Sequence, residues 1–211
     1  MKIALFGATG DTGLEIIRQC VNYKYDLTAF VRNPDKLIYK YPELDVIKID
    51  IDDYELLRNY VKDYDLIISL VGISGLIKAM NPNSLYERTA KNLIKLSIEN
   101  NIKRLIVITS GGVVEAQNEP WFFKYLLKPL FLKKMYADMR EMEKLILESK
   151  INYTIIRPPY LTKGKLTKNY RVILDNWFDD DKNLSRADLA HFILNNLENQ
   201  ILFRRIVGLS Y

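Results

Sequence analysis

Three glycines near the start of the chain have a spacing that suits the binding of a phosphate-bearing cofactor. Gly7, Gly10 and Gly13 follow a short apolar run, residues 2–6, and lead directly into a segment with helical periodicity. In such a loop one glycine allows a tight turn, a second lets the backbone approach a pyrophosphate, and a third lets helix and strand pack closely. A plain strand-to-helix turn would need only one glycine, so the motif predicts a dinucleotide site at the amino end of the first helix.

Arg32 bears on which dinucleotide would bind. It follows the second predicted strand, residues 27–31, where an NAD-specific site would place an acidic residue for the ribose hydroxyls. A guanidinium can instead pair with a 2′-phosphate, and Lys36 follows one turn later. The pattern favours NADPH, with a surface arginine at a strand end as the alternative.

Two hydroxyl groups are candidates for a chemical role in hydride transfer. This reaction requires the protein to orient the reactants and, for some acceptors, to supply a proton. Ser110 follows the fifth predicted strand, at the edge where open α/β sheets bind ligands. Tyr160 follows the double proline Pro158-Pro159 and is either a proton donor or a wall of the pocket.

Two further segments leave alternatives open. Tyr136 and Arg140 imitate the Tyr-x-x-x-Lys spacing in which a cation lowers a tyrosine pKa. Arginine replaces lysine poorly there, so a tyrosine on the helix surface is the favoured interpretation. The segment from Glu119 to Leu127 concentrates aromatic rings on which a planar acceptor could stack, with core packing or a dimer surface as competing interpretations.

The elements that position these residues alternate in type along the chain. Six runs of strand length are largely apolar, which is typical of parallel strands buried on both faces. They are residues 2–6, 27–31, 46–49, 65–70, 104–109 and 153–156, and helical periodicity follows in residues 12–21, 85–99 and 135–148. The alternation predicts an α/β fold, a Rossmann-type doubly wound parallel sheet with helices on both faces.

The C-terminal part is expected to form a small substrate-side lobe of the same domain. No repeat or linker divides the chain, so residues 1–211 are predicted to be one NAD(P)-binding domain with about 158–211 on the substrate side. In this portion Ser185 is predicted to cap a last helix, with Asp188 in the capping-box position.

The composition excludes several classes of protein and site. With 48% hydrophobic and 27% charged residues, the 211-residue chain is typical of globular proteins. Cys20 and His191 are single residues of their type, which excludes a disulfide framework and multi-histidine metal sites. We interpret them as a buried thiol and a packed helix residue, and we expect no metal.

The sequence also bears on localisation and on macromolecular partners. No apolar run reaches the length of a signal-peptide core or the roughly 18 residues of a membrane span, so we expect a cytoplasmic protein without a membrane partner. The net charge of +5 comes from dispersed basic residues. A nucleic-acid partner is therefore not expected.

Five segments together resemble the atypical short-chain dehydrogenase/reductases. Within that group the chain is most similar to the NAD(P)H-binding proteins related to biliverdin-IXβ reductase, also called flavin reductase, and to NmrA-like redox sensors. The segments are GATGDTG (7–13), VRNP (31–34), TSGG (109–112), YTIIRPP (153–159) and LSRADLA (184–190), so the resemblance spans nearly the whole chain. It departs at Tyr160, where the flavin-reductase branch carries a histidine.

The resemblance implies an NADPH-dependent oxidoreductase that transfers hydride to a small planar acceptor such as a flavin or quinone. A non-enzymatic NADP(H) sensor and a nucleotide-sugar epimerase or dehydratase are the alternatives. The expected partner is a small molecule, and the protein is expected to be a monomer or homodimer. By resemblance, the residues that line NADPH are Gly7, Thr9, Gly10, Asp11, Thr12, Gly13, Arg32, Lys36, Asp50, Ile51, Leu70, Val71, Gly72, Thr109, Ser110 and Pro158.

Overall fold

Ten short strands, most of them apolar, provide the sheets of the protein in a computed structural model. The structure describes residues 1–23, 25–73, 75–114 and 121–211, and the side chains of Lys36, Phe123 and Lys124 lie outside this description. The strands are β1 (Lys2–Phe6), β2 (Asp26–Val31), β3 (Asp45–Lys48), β4 (Leu66–Ser69), β5 (Arg104–Ile108), β6 (Tyr153–Arg157), β7 (Leu161–Thr162), β8 (Arg171–Leu174), β9 (Leu184–Ser185) and β10 (Arg205–Ser210).

Helices cover both faces of the main sheet. They are α1 (Asp11–Cys20), α2 (Asp35–Lys40), α3 (Tyr54–Tyr60), α4 (Leu76–Ala79), α5 (Leu85–Glu99), α6 (Lys133–Glu148) and α7 (Arg186–Asn195), with short 3₁₀ turns at Gly111–Val113 and Gln200–Leu202 and a wide, π-type segment at Phe123–Leu132. Helices α1 and α7 pack together, as do α5 and α6, and two apolar cores separate these pairs from the sheet. Among the described helices, none has the length and apolarity of a membrane-spanning segment.

The order of the strands places a crevice at one edge of the sheet. Eight strands run β3-β2-β1-β4-β5-β6-β10-β8, all parallel except β8, while β7 and β9 form a separate pair. The order in which successive strands are added to the sheet reverses between β1 and β4, and ligands of such sheets bind at the carboxyl ends of the strands at this point. The predicted doubly wound α/β fold is confirmed.

The described residues contain four strands that the sequence patterns did not predict, the separate pair β7 and β9 and two strands of the main sheet. Strand β10 extends the sheet beside β6, and β8 pairs with it in the antiparallel direction. Strand β8 lies at the edge, has only four residues and is exposed in the first two, so its apolar run is shorter than those of the predicted strands. Gly208 interrupts the apolar pattern of β10.

Asp188 connects the parts of the C-terminal lobe. Its buried carboxylate accepts hydrogen bonds from the Thr167 N–H and hydroxyl, the Lys168 N–H and the hydroxyls of Ser185 and Tyr211. The Ser185 hydroxyl also accepts from the Asp188 N–H, which confirms the predicted helix cap. Burial acts to raise the pKa of Asp188, but the donors around it outweigh burial and hold this pKa below its usual value.

Replacing Asp188 by asparagine is expected to lower the free energy of unfolding by about 2–4 kcal/mol at pH 7, because an amide brings donors to a site made of donors. The folded-state pKa lies below the unfolded value of about 3.9. The carboxylate therefore stabilises fully above that value and loses its contribution as the pH falls through the folded-state pKa. Urea unfolding should show the largest difference between wild type and Asp188→Asn at pH 7 and a smaller one below about pH 4. The exposed Asp63→Asn control should change stability by less than about 0.5 kcal/mol, and equal stability of Asp188→Asn and wild type would contradict the assignment.

Candidate functional site

The loop between β1 and α1 is shaped by two glycines that have no room for a side chain. Gly7 has a φ of +77°, and a Cβ atom there would stand 2.6 Å from the backbone carbon and oxygen of Leu70 at the end of β4. A Cβ atom at Gly13 would stand 2.6 Å from the backbone of Ala8. These glycines therefore bring the loop against β4 and bring α1 against the loop.

Gly10 differs, because nothing within the chain requires a glycine there. Its φ is −75°, and the nearest atom to an added Cβ would be the Gly7 oxygen at 3.4 Å, an ordinary contact. As the capping residue of α1 it offers no side chain to the N–H groups of the first turn. An uncapped helix N-terminus with open backbone beside it suits an anionic group such as a phosphate.

A first cavity of about 470 Å³ lies between this loop and the end of β4. Its walls are Gly7, Thr9 to Gly13, Leu70 to Ile73, Tyr86, Ile108, Thr109, Met139, Leu161 and Arg186. The Tyr86 hydroxyl accepts a hydrogen bond from the Ile73 N–H, and burial raises the pKa of Tyr86 to about 12, which keeps the phenol neutral. The volume is in the range of small-molecule sites, about 300–1,000 Å³.

The structure brings most of the predicted cofactor residues to this cavity. The members of the predicted set that line it are Gly7, Thr9, Gly10, Asp11, Thr12, Gly13, Leu70, Val71, Gly72 and Thr109. Ser110 and Pro158 line a neighbouring cavity instead.

Three of the remaining predicted cofactor residues, Arg32, Asp50 and Ile51, line neither cavity. Arg32 is exposed beyond β2 and has no hydrogen-bond or ion-pair partner among the described residues. The Asp50 carboxylate accepts from the Asp52 N–H, and Ile51 is buried. The side chain of Lys36 lies outside the described part of the chain.

A second cavity of about 660 Å³ adjoins the first, and Thr109, Leu161 and Arg186 line both. Its other walls are Ser110 to Gly112, Tyr136, Pro158 to Tyr160, Trp177 and Asp179 to Asn183. Trp177 and residues 179–183 belong to the segment between β8 and β9, so this segment forms part of the wall of the second cavity.

Two aromatic rings pack on the turn after β5 because glycines there leave space. A Cβ atom at Gly111 would stand 2.0 Å from the Trp177 ring, and one at Gly112 would stand 2.4 Å from the Tyr136 hydroxyl. The glycine pair was visible in the sequence, but the rings that fill the space were not. Sequence reasoning missed Trp177 as a wall of the site.

The interpretation of Tyr136 as a helix-surface residue is wrong. Its side chain is 6% exposed and lines the second cavity, because α6 packs against the Gly111–Val113 turn. Arg140, four residues later, is exposed, and its guanidinium reaches the Val113 carbonyl at 3.5 Å.

The two predicted catalytic hydroxyls lie on the second cavity. The Ser110 hydroxyl accepts from the Gly112 N–H at 3.2 Å and so caps the turn. Tyr160 is 76% exposed, and its hydroxyl has no partner among the described residues. The structure thus places both groups beside one space but at different depths.

A buried ion pair lies beside the junction of the cavities, and sequence reasoning missed it. Glu143 in α6 accepts from the Thr109 hydroxyl at 2.6 Å and from the Arg157 Nε and Nη2 at 3.0 and 2.6 Å. The pair holds the ends of β5 and β6 against α6. No local pattern could have joined residues so far apart in sequence.

The aromatic segment after β5 occupies a different place. Trp121, Phe122 and Tyr125 are exposed, and none of them lines either cavity. Glu119 and Pro120 lie outside the described residues. Cys20 is buried, which raises the pKa of its thiol to about 11, and His191 is half-buried with Nδ1 2.8 Å from the Tyr170 hydroxyl.

Comparisons with known proteins agree with this geometry. Residues 7–200 match the model of a family described as NAD(P)H-binding. The uncharacterized protein YwnB of Bacillus subtilis is 26% identical over 207 residues, which cover 94% of this chain and 93% of YwnB.

Solved structures show the same fold. A short-chain dehydrogenase/reductase of Veillonella parvula in complex with NADP has a TM-score of 0.80 and 18% identity, covering 100% of this chain and 94% of that one. A candidate NADH-flavin reductase of Streptococcus pneumoniae has a TM-score of 0.79 and 20% identity, covering 100% and 99%. The resemblance inferred from the sequence is confirmed, and because the family model spans nearly the whole chain, the protein belongs to the NAD(P)H-binding family.

Proposed function

We propose that the protein is an NADPH-dependent reductase that transfers hydride to a small planar acceptor, with flavins and quinones as the leading substrates. The observation that carries the proposal is that the two cavities adjoin each other and share Thr109, Leu161 and Arg186 as wall residues. Hydride passes directly from donor to acceptor, so the two molecules must meet in one connected space.

The first cavity suits the dinucleotide. The uncapped N-terminus of α1 and the open backbone at Gly10 would hold the pyrophosphate, and the backbone of Leu70 to Gly72 would run along the cofactor. Arg32 would pair with the 2′-phosphate, with Lys36 nearby in sequence, and Asp50 and Ile51 would lie toward the adenine. When bound, NADPH would supply the hydride. The NADP held by the Veillonella protein of the same fold supports this choice.

The second cavity suits a flat acceptor. Trp177, Tyr136 and Tyr160 provide aromatic surface, and Pro158 and Pro159 add a rigid apolar wall. Ser110 would orient the nicotinamide or the acceptor, and Tyr160 would donate a proton where the acceptor requires one. The candidate flavin reductase among the structural neighbours supports a planar substrate.

Gly10→Ala is expected to separate cofactor binding from folding. The added methyl group meets no tight contact within the chain but enters the space assigned to the pyrophosphate. The melting temperature of the free protein should stay close to that of wild type, while the upward shift caused by NADPH should largely disappear. Gly13→Ala is the matched control, since its Cβ would meet the Ala8 backbone and should lower the melting temperature without NADPH. An undiminished NADPH shift in Gly10→Ala would show that the pyrophosphate lies elsewhere.

Arg32→Asp is expected to reverse the cofactor preference. A charge-assisted contact contributes roughly 1.5–3 kcal/mol, so wild type should bind NADPH about tenfold or more tightly than NADH. The carboxylate should repel the 2′-phosphate and accept from the ribose hydroxyls instead. Dissociation constants measured by titration decide the matter, with the exposed Lys62→Asp, which follows α3, as the control of equal charge change. If wild type bound NADPH and NADH with equal affinity, the assignment of Arg32 to the 2′-phosphate would be wrong.

Tyr160→Phe tests the acceptor class together with the proton donor. NADPH oxidation would be followed with FMN, FAD, quinones, tetrapyrroles and small carbonyl compounds. A proton donor typically contributes about 10²–10⁴-fold, so turnover of carbonyl acceptors should fall by this factor. Flavin turnover should fall only a few-fold, because hydride arrives at N5 and the remaining proton exchanges with water.

Ser110→Ala should lower turnover with all acceptors while NADPH affinity stays within a few-fold.

Tyr136→Phe is the matched comparison, because it removes the same hydroxyl from the same cavity. A large loss in this variant beside a small loss in Tyr160→Phe would transfer the donor role to Tyr136. Tight NADPH binding without oxidation by any acceptor would argue against a reductase and for an NADP(H) sensor.

A further inference from the structure

Arg186 stands at the junction of the two cavities, in a position that helix stability does not explain. It is the first residue of α7, where the helix dipole disfavours a positive charge. Its Nη1 donates to the Leu161 carbonyl at 2.9 Å, and its Nε lies 3.8 Å from the Asp11 carboxylate. The side chain is 26% exposed and reaches toward the glycine loop across the mouth of the first cavity.

Asp11 has a charge that favours its own helix but would repel a bound phosphate. It is the first residue of α1, beside Gly10, so its carboxylate favours the helix but stands where the pyrophosphate is expected. Among the described residues that line the first cavity, Asp11 and Arg186 are the only charged ones. A dinucleotide pyrophosphate would therefore meet one repelling and one attracting side chain.

The contact between these side chains is loose. At 3.8 Å the Nε and carboxylate oxygen are beyond normal hydrogen-bond distance, and the Asp11 side chain is 54% exposed. Ion pairs of this kind contribute little to stability, so Arg186 can leave Asp11 at low cost. A guanidinium also has five donors, of which the structure engages few, and it bonds phosphate oxygens well.

We propose that Arg186 binds the pyrophosphate of the dinucleotide and leaves its loose contact with Asp11 when the cofactor binds. The inference rests on the proposed function only in taking NADPH as the ligand. It assigns a cofactor contact to the C-terminal lobe, outside the glycine loop and the strand ends. Because the pyrophosphate is common to both nicotinamide cofactors, Arg186 should contribute equally to NADPH and NADH, unlike Arg32.

The test is a double-mutant cycle on cofactor affinity, with dissociation constants measured by titration of NADPH and NADH. Arg186→Gln should weaken both cofactors by about tenfold or more, the loss of one charge-assisted contact. Asp11→Asn should tighten both several-fold by removing repulsion and competition. The exposed Lys163→Gln, outside both cavities, controls for the loss of one positive charge.

The decisive comparison is Arg186→Gln in the Asp11→Asn background. If Arg186 binds phosphate, the tenfold loss persists there, because no carboxylate remains to be neutralised. If Arg186 serves only to neutralise Asp11, the substitution has no effect there and the proposal is overturned. A loss confined to NADPH overturns it as well.

Arg186→Lys provides a second variant should glutamine disturb the lobe through the lost contact to Leu161. Lysine keeps the charge without the fork of donors, so affinity for both cofactors should fall about threefold and the salt dependence of binding should stay as in wild type. The contact would be refuted if Arg186→Lys and a folded Arg186→Gln variant both bound the cofactors with wild-type affinity. These measurements need no turnover, so they remain decisive if wild type binds NADPH but reduces no acceptor.

Discussion

The close approach of the β1–α1 loop to the end of β4 is the constraint on which the site depends. At Gly7 the backbone passes so near Leu70 that a single Cβ would stand 2.6 Å from carbonyl atoms, and the φ of +77° suits glycine. This approach fixes the N-terminus of α1 at the point where the strand order reverses. A first cavity with the N-terminus of α1, which has no side-chain cap, at one end follows from that placement.

Glycines also allow a close approach at the end of β5. Gly111 and Gly112 leave room for the rings of Trp177 and Tyr136, which come from the C-terminal lobe and from α6. Below this turn, the buried pair of Glu143 and Arg157 joins α6 to the end of β6, and Glu143 also holds Thr109. Burying two charges is favourable only with good geometry and full hydrogen bonding, so the pair is better understood as fixing positions than as adding stability.

Local signals in the sequence predicted the parts of the site that are built locally. The glycine loop, the buried parallel strands and the Ser185 cap each depend on residues within a few positions, and periodicity or spacing reports such features. Strand β8 is short and partly exposed, so its pairing with β10 depends on contacts that no periodicity reports. Tyr136 was misjudged for a related reason, since helical spacing does not tell which turn will pack over the helix.

The wall of the second cavity explains why the proposed acceptor is harder to infer from the sequence than the proposed cofactor. The segment that carries Trp177 is fixed to β10 at both ends, where the Asp175 carboxylate accepts from the Ile206 N–H and the Lys182 N–H donates to the Ser210 hydroxyl. Between these anchors the chain contributes side chains to the cavity without taking part in the sheet. Its residues can therefore change the shape and charge of the acceptor space while the glycine loop, the strand ends and the α1 N-terminus stay as they are. If the protein is the proposed reductase, the fold sets where an acceptor would meet the cofactor, and this anchored segment contributes to which acceptor would fit.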